Sequence, residues 1–174
     1  TKNGGFILGS DYVGGIAGGL SNDIQYAITG DSSVSVTANA SYVIGNSYVG
    51  GIVGKNDGPM PTTIQNCVNN GVAAGYGRFI GGIAGYNGEN GTLLNCASYL
   101  SDYDRSLYNT IIKEWKTTGD CVGGLAGYNN GKIRFDAQDA AAPVRSVSSI
   151  VTGRNFVGGV IGFNDKNGEI KADY

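Results

Sequence analysis

Tyr48-Val-Gly-Gly-Ile-Val-Gly54 decides the reading of this chain, because its pattern occurs five times. The other copies are Tyr12-Val-Gly-Gly-Ile-Ala-Gly18, Phe79-Ile-Gly-Gly-Ile-Ala-Gly85, Cys121-Val-Gly-Gly-Leu-Ala-Gly127 and Phe156-Val-Gly-Gly-Val-Ile-Gly162. The doublets begin at Gly14, Gly50, Gly81, Gly123 and Gly158, so the spacing varies but always stays near one supersecondary unit. Self-similarity at such a period is the signature of a stacked repeat architecture.

The likeness extends outward from the doublets. An Asn follows each copy (Asn22, Asn56, Asn87, Asn129 and Asn164) and reads as a turn, since Asn tolerates the left-handed conformation. Next come short pieces with an apolar residue in a fixed place: Asp23-Ile24-Gln25, Thr63-Ile64-Gln65, Thr92-Leu93-Leu94, Lys132-Ile133-Arg134 and Glu169-Ile170-Lys171. A third apolar piece, such as Tyr42-Val43-Ile44 or Ser149-Ile150-Val151, precedes the next copy. Gly9, Gly45, Gly77, Gly119 and Gly153 then turn the chain. Each unit therefore reads as three short strands.

One such unit cannot bury its apolar face alone, whereas stacked units bury a continuous core. The expected fold is all-β: a parallel β-helix (β-solenoid) of about five three-stranded coils, with residues 1–174 as a single domain. Val13, Val49, Ile80, Val122 and Val157 should form one column, and Ile16, Ile52, Ile83, Leu125 and Val160 a second. Tyr12, Tyr48, Phe79, Cys121 and Phe156 should form a third. Val13 and Ile16 are three residues apart, which places them on opposite faces of a straight strand. Either the Gly doublet bends the strand so that both point inward, or both faces are covered.

Composition agrees with strands and turns. Of 174 residues 31 are Gly and 3 Pro, and charged residues make up 15%. A net charge of −2 with no basic stripe argues against a nucleic-acid partner, and the apolar runs are too short for membrane insertion. The chain has no histidine, which removes Ser-His-Asp and Cys-His nucleophilic sites and the usual zinc sites. No catalytic residue, metal site or cofactor is expected. Cys67, Cys96 and Cys121 read as buried thiols. Cys67 and Cys96 share the context Asn-Cys, so they should be packed neighbours in adjacent coils, unbridged.

The pattern [YF]-V-G-G-[IL]-[AV]-G-x-N followed by [TK]-[IL]-x-N-C resembles the GLUG repeat family, found in large secreted bacterial proteins that include IgA-specific metallopeptidases and surface adhesins. The likeness covers nearly the whole chain. Cys121 in the aromatic column and Gly19-Leu20 in place of x-Asn depart from it. The resemblance implies a β-helical fold and a secreted or bacterial cell-surface location, as part of a larger protein. It carries no catalytic residue onto this chain.

Two places could bind a ligand. Residues 102–118 fill the longest spacing as an inserted loop or short helix, and Tyr103, Tyr108 and Trp115 there could stack a sugar or anchor a protein. The alternative is a stripe, Leu107, Ile111 and Trp115 at helical spacing, that packs on the coils. Tyr86, Tyr128 and Phe163 form a further column that could stack glycan rings or close a corner. Paired carboxylates Asp102/Asp104 and Asp136/Asp139 read as solvated loop charges, because a glycosidase pair must flank its bond across a groove. Asn164-Asp-Lys-Asn-Gly-Glu169 reads as a turn, since it lacks calcium ligands. Gly30-Asp-Ser-Ser33 reads as a polar turn, and the sequons Asn39-Ala-Ser41 and Asn90-Gly-Thr92 as coincidental. The expected function is a non-catalytic adhesion or stalk module that meets a host glycan or host protein. The alternative is an accessory substrate-positioning domain of a secreted metallopeptidase or polysaccharide-degrading enzyme. Exposed coil ends would permit end-to-end self-association.

Overall fold

The computed structural model describes residues 5–20, 26–29, 36–38, 42–99, 119–136 and 151–173, and all of its regular structure is β. The strands fall into five sheets, each pair parallel and each pair drawn from consecutive repeats. One sheet holds β2 (Asp11–Gly14), β7 (Ser47–Gly50), β12 (Arg78–Gly81), β16 (Asp120–Gly123) and β19 (Val157–Gly158) in that spatial order. A second holds β3 (Ala17–Leu20), β8 (Val53–Asn56), β13 (Ala84–Asn87), β17 (Ala126–Asn129) and β20 (Ile161–Asn164). The third comprises β4 (Tyr26–Thr29), β9 (Thr62–Gln65), β14 (Gly91–Leu94), β18 (Lys132–Asp136) and β21 (Glu169–Asp173). Two smaller sheets contain β1 (Phe6–Leu8), β6 (Tyr42–Gly45) and β11 (Val72–Gly75), and β5 (Val36–Ala38), β10 (Cys67–Asn69) and β15 (Ala97–Ser98).

The anticipated columns are present. Val13 lies opposite Val49, Val49 opposite Ile80, Ile80 opposite Val122, and Val122 opposite Val157. The second column is joined by backbone hydrogen bonds from Ile16 N to Ile52 O, Ile52 N to Ile83 O, Ile83 N to Leu125 O and Leu125 N to Val160 O. The doublet separates the two. β7 ends at Gly50 and β8 begins at Val53, with a bend between them. Val49 and Ile52 are both fully buried, but in different clusters. Val13, Val43, Val49, Ile80 and Val122 form one, while Ile52, Ile83, Leu125, Ile64, Leu93 and Ile133 belong to the other. The bend thus lets one short peptide feed two apolar cores.

The glycines of the doublet serve close approach rather than a left-handed turn, since no described glycine has positive φ. A Cβ on Gly82 would lie 2.2 Å from Gly124 O and 2.2 Å from Ser98 Oγ. One on Gly51 would lie 2.2 Å from Gly82 O and 2.3 Å from Asn69 Nδ2. Neighbouring repeats, with β10 and β15 against the bend, press on this point. The left-handed conformation falls instead on the residue before the Val column. Tyr12, Tyr48, Phe79, Cys121 and Phe156 have φ of 57°, 55°, 64°, 52° and 51°. Such a φ is unusual for a bulky side chain, yet all five repeats adopt it.

Several expectations are corrected. A unit contributes five strands rather than three: residues 42–69 alone supply β6, β7, β8, β9 and β10. The doublet peptide forms two strands, and β10 and its counterparts form an additional sheet. Residues 23–25 lie outside the described residues, and it is Ile28 that stands opposite Ile64, so the first repeat is offset by four from the expected match. Gly75, not Gly77, lies opposite Gly45, because the exposed Tyr76 is an extra residue at that corner. Asn56, Asn87, Asn129 and Asn164 do not make left-handed turns. They are the last residues of β8, β13, β17 and β20. Leu20, not Asn22, occupies their column in the first repeat. Among the described residues, the left-handed asparagines are Asn66 and Asn95.

Those strand-end asparagines form a ladder. Asn56 Nδ2 donates to Asn87 Oδ1 (2.8 Å), Asn87 Nδ2 to Asn129 Oδ1 (2.8 Å), and Asn129 Nδ2 to Asn164 Oδ1 (2.7 Å). The first three are fully buried. Alternation along Ala84–Asn87 explains the placement: Tyr86 points out, so Asn87 points in. Cys67, Cys96 and Cys121 are buried and unbridged, and Cys96 sits against Cys67 with burial pushing its thiol pKa well up.

Two substitutions in one glycine column separate close approach from chain flexibility. Gly82→Ala should destabilise by about 3 kcal/mol, an overpacking cost against backbone that has no room to move. Gly159→Ala, where the added methyl meets nothing within 4 Å, should stay within about 0.5 kcal/mol of wild type. Chemical denaturation of the two variants measures the difference. Asn87→Leu strands Asn56 Nδ2 and Asn129 Oδ1 without partners. It should cost about 2–5 kcal/mol in the same assay.

Candidate binding surface

Two aromatic columns run side by side across the repeats. The left-handed residues carry the first: Tyr12 stacks on Tyr48 at 4.6 Å between ring centroids, and Tyr48 meets Phe79 at 5.1 Å. The second belongs to the middle of β13, β17 and β20. Tyr86 and Tyr128 stack at 4.8 Å with 4° between ring planes, and Tyr128 and Phe163 at 5.7 Å and 16°. Edge contacts bind the columns to each other, Phe79 to Tyr86 at 5.6 Å and to Tyr128 at 5.1 Å, and Phe156 to Phe163 at 5.3 Å. The glycine before each ring brings the columns together. A Cβ on Gly127 would lie 2.4 Å from Ile80 N and 2.6 Å from Cys121 O.

The register adds a residue that sequence comparison passed over. Lys55 lies opposite Tyr86, and its ammonium sits over the Tyr86 ring, 5.6 Å from the centroid. It also pairs with Asp57 at 3.0 Å. The Tyr128 hydroxyl donates to Asp165 Oδ2. That bond holds the Asp165 carboxyl below the usual carboxylate range. The Tyr128 phenol is raised, first by burial and then by the same bond.

This arrangement fixes what the surface offers. Tyr128 has Tyr86 on one face and Phe163 on the other, and Tyr86 lies between Tyr128 and the Lys55 ammonium. Tyr86 and Tyr128 thus have both ring faces covered within the ladder, while the Lys55 and Asp57 side chains remain about a third exposed, at 30% and 32%. Stacked and edge-on pairs of this kind contribute about 0.5–1.5 kcal/mol each beyond area burial. Cys121 breaks the first column without breaking the backbone pattern, since it keeps φ of 52°.

The remaining candidate residues divide by position. Tyr103, Tyr108 and Trp115, with the 102–118 insertion and Asp102/Asp104, lie outside the described residues. So do Asp139, the Gly30–Ser33 turn and the Asn39 sequon. Asp136 ends β18, and its backbone N–H donates to Asn95 Oδ1 at 2.8 Å. Asn90 donates to Gly58 O at 3.0 Å and Pro59 O at 3.3 Å. Residues 164–169 form a turn in which Gly168 N donates to Asp165 O and Asn164 Nδ2 to Gly168 O.

A second polar column passes the start of the doublet strands. Arg78 lies opposite Asp120 in the register. Arg154 Nε and Nη2 donate to Asp120 at 3.0 and 2.6 Å, and Asn155 Nδ2 donates at 2.9 Å. Arg154 and Asn155 hold the Asp120 carboxyl down to about 2.

A family model for the GLUG motif matches residues 45–73, the stretch that contains β7 to β10. The resemblance read from the doublet and its neighbours is therefore shown for that repeat. Neither the curated proteins nor the solved structures yielded a match.

The Asp120 pair has a defined pH signature. A carboxyl whose folded pKa is depressed contributes stability above its unfolded pKa and loses it as pH falls through the folded value. The stability gap between wild type and Arg154→Gln should therefore be constant above the ordinary carboxylate pKa of 3.8 and close as the pH approaches 2. Urea titrations across that range provide the measurement.

Proposed function

We propose that the chain winds as a parallel β-helix of about five rungs. We further propose that it serves, without catalysis of its own, as an extracellular bacterial adhesion or stalk module that meets a host glycan or host protein. The observation that carries this reading is the residue-for-residue register of successive repeats. Val opposite Val or Ile and the first doublet glycine opposite the next recur through all five repeats, and Asn opposite Asn through the last four. Such a chain is quasi-one-dimensional: each repeat contacts its neighbours, and length grows by about 4.8 Å per rung. That suits a rod which carries a contact surface away from its base. The GLUG motif at residues 45–73 supports the extracellular bacterial setting.

The contact surface in this reading is the outer edge of the aromatic ladder. Stacking restricts the Tyr86 and Tyr128 rings and the Asp57 ion pair restricts Lys55, so these groups have less side-chain entropy left to lose on binding. Hydrogen bonding and edge contact, rather than ring-on-sugar stacking, are the chemistry of that stripe.

A glycan array and a pull-down on host mucus proteins test the reading with the wild-type chain and with Lys55→Ala and Tyr86→Ala. The expected outcome is saturable binding in one assay that both substitutions weaken. Silence in both assays overturns the adhesion role, and hydrolysis of any array glycan by the chain overturns the non-catalytic one.

A further inference from the structure

The first aromatic column lacks one ring. Tyr12, Tyr48, Phe79, Cys121 and Phe156 share a left-handed φ between 51° and 64°, so each sends its Cβ the same way from equivalent backbone. Arg78 and Ile80 lie opposite Asp120 and Val122, and Val122 lies opposite Val157. Phe79 is therefore one repeat before Cys121, and Phe156 one repeat after. Those two rings arise two strand spacings apart, about 9.6 Å. Where the column is complete its rings follow at 4.6 and 5.1 Å. The gap over Cys121 is thus one ring wide. A planar group set midway would lie about 4.8 Å from each neighbour, inside the roughly 4.5–7 Å range of aromatic pairs.

The neighbouring column shows the same omission. Rings of one repeat meet at Phe79–Tyr86, 5.6 Å, and at Phe156–Phe163, 5.3 Å. Tyr128 has a thiol in place of that partner, and meets Phe79 of the preceding repeat edge-on at 5.1 Å. Cys121 is buried below these taller rings, and a thiol floor is itself a favourable contact for a ring. Phe79 and Phe156 carry no hydroxyl, and the Tyr128 hydroxyl is committed to Asp165. Such walls suit an aromatic side chain and give a sugar's hydroxyls nothing to bond. The rim is cationic. Arg78 is exposed, and Asp120, which lies opposite it, is taken up by Arg154 and Asn155. The Arg78 guanidinium is left to meet an incoming carboxylate.

We propose that the gap over Cys121, between Phe79 and Phe156, is a docking slot for one aromatic side chain of a partner protein, with an acidic neighbour of that side chain meeting Arg78. A single buried ring held between aromatic walls is the kind of anchor that dominates an interface. The inference rests on the adhesion reading and narrows its partner from glycan or protein to protein.

Titration of the chain with the peptide Ac-Glu-Trp-Glu-amide, followed by backbone amide chemical shifts, tests it. Saturable shifts at Phe79, Cys121, Tyr128 and Phe156 are expected, and none with Ac-Glu-Ala-Glu-amide. Cys121→Ala keeps the gap and should bind as wild type. Cys121→Phe supplies the missing ring; it should melt no lower than wild type and lose the shifts. If that variant fails to fold, Phe156→Ala removes a wall at a residue 59% exposed and should lose them instead. Arg78→Gln should weaken binding about two- to five-fold. An unresponsive wild type, undiminished binding by folded Cys121→Phe or by Phe156→Ala, or saturable shifts from methyl β-galactoside and not from the peptide, overturns the slot. The pull-down on host mucus proteins separates the two readings. Capture that Lys55→Ala weakens and Cys121→Phe leaves intact retains adhesion and removes the slot. Peptide binding without capture retains the slot and removes adhesion.

Discussion

The structure depends on how closely two backbones approach at the Gly doublet. Gly51 and Gly82 sit where a methyl group would come within 2.2 Å of a carbonyl oxygen in the next repeat. That approach is what permits the bend between β7 and β8, and the bend is what sends Val49 and Ile52 into separate apolar clusters. A residue with a Cβ there would hold neighbouring repeats apart, and parallel pairing on both sides of the bend would be lost together. The backbone thus sets the spacing, and the aliphatic columns fill what the spacing leaves.

Around that contact, polar and strained features recur with the same register. Asn56, Asn87 and Asn129 of the ladder run through buried space that an apolar column could have filled. An amide there tolerates only a neighbour that offers the matching donor or acceptor, so the ladder penalises a slip in register as well as stabilising the correct one. The left-handed Tyr12, Tyr48, Phe79, Cys121 and Phe156 act similarly. A bulky residue keeps such a φ only when its surroundings over-determine it, and all five repeats keep it.

Much of this was legible in the sequence, for a physical reason. Columns in a parallel stack repeat residue by residue, so the Val and Ile ladders follow from aligning the five doublets. What the alignment left out is what a one-dimensional repeat does not encode. The doublet marked where a bend could fall, but not that the bend would turn one apparent strand into two that feed separate apolar clusters. The role of the asparagines was hidden because Asn is common in turns, whereas the Tyr86-Asn87 alternation carried the signal that one points out and the other in. Ile28 was missed because the first repeat departs from the others at Gly19-Leu20. Of the candidate surface, Tyr86, Tyr128 and Phe163 were legible as a column. Their mutual stacking and the place of Lys55 depend on ring orientation and register, which composition does not specify.

The central claim is that consecutive doublet strands lie parallel and in register. Nuclear Overhauser contacts among the backbone protons of Val49, Ile80 and Val122 test it most directly. The account requires sequential parallel-strand contacts from Val49 to Ile80 and from Ile80 to Val122, with none from Val49 straight to Val122. Cross-strand Hα–Hα contacts of antiparallel pairing among these residues, or the absence of any contact between Val49 and Ile80, would contradict it.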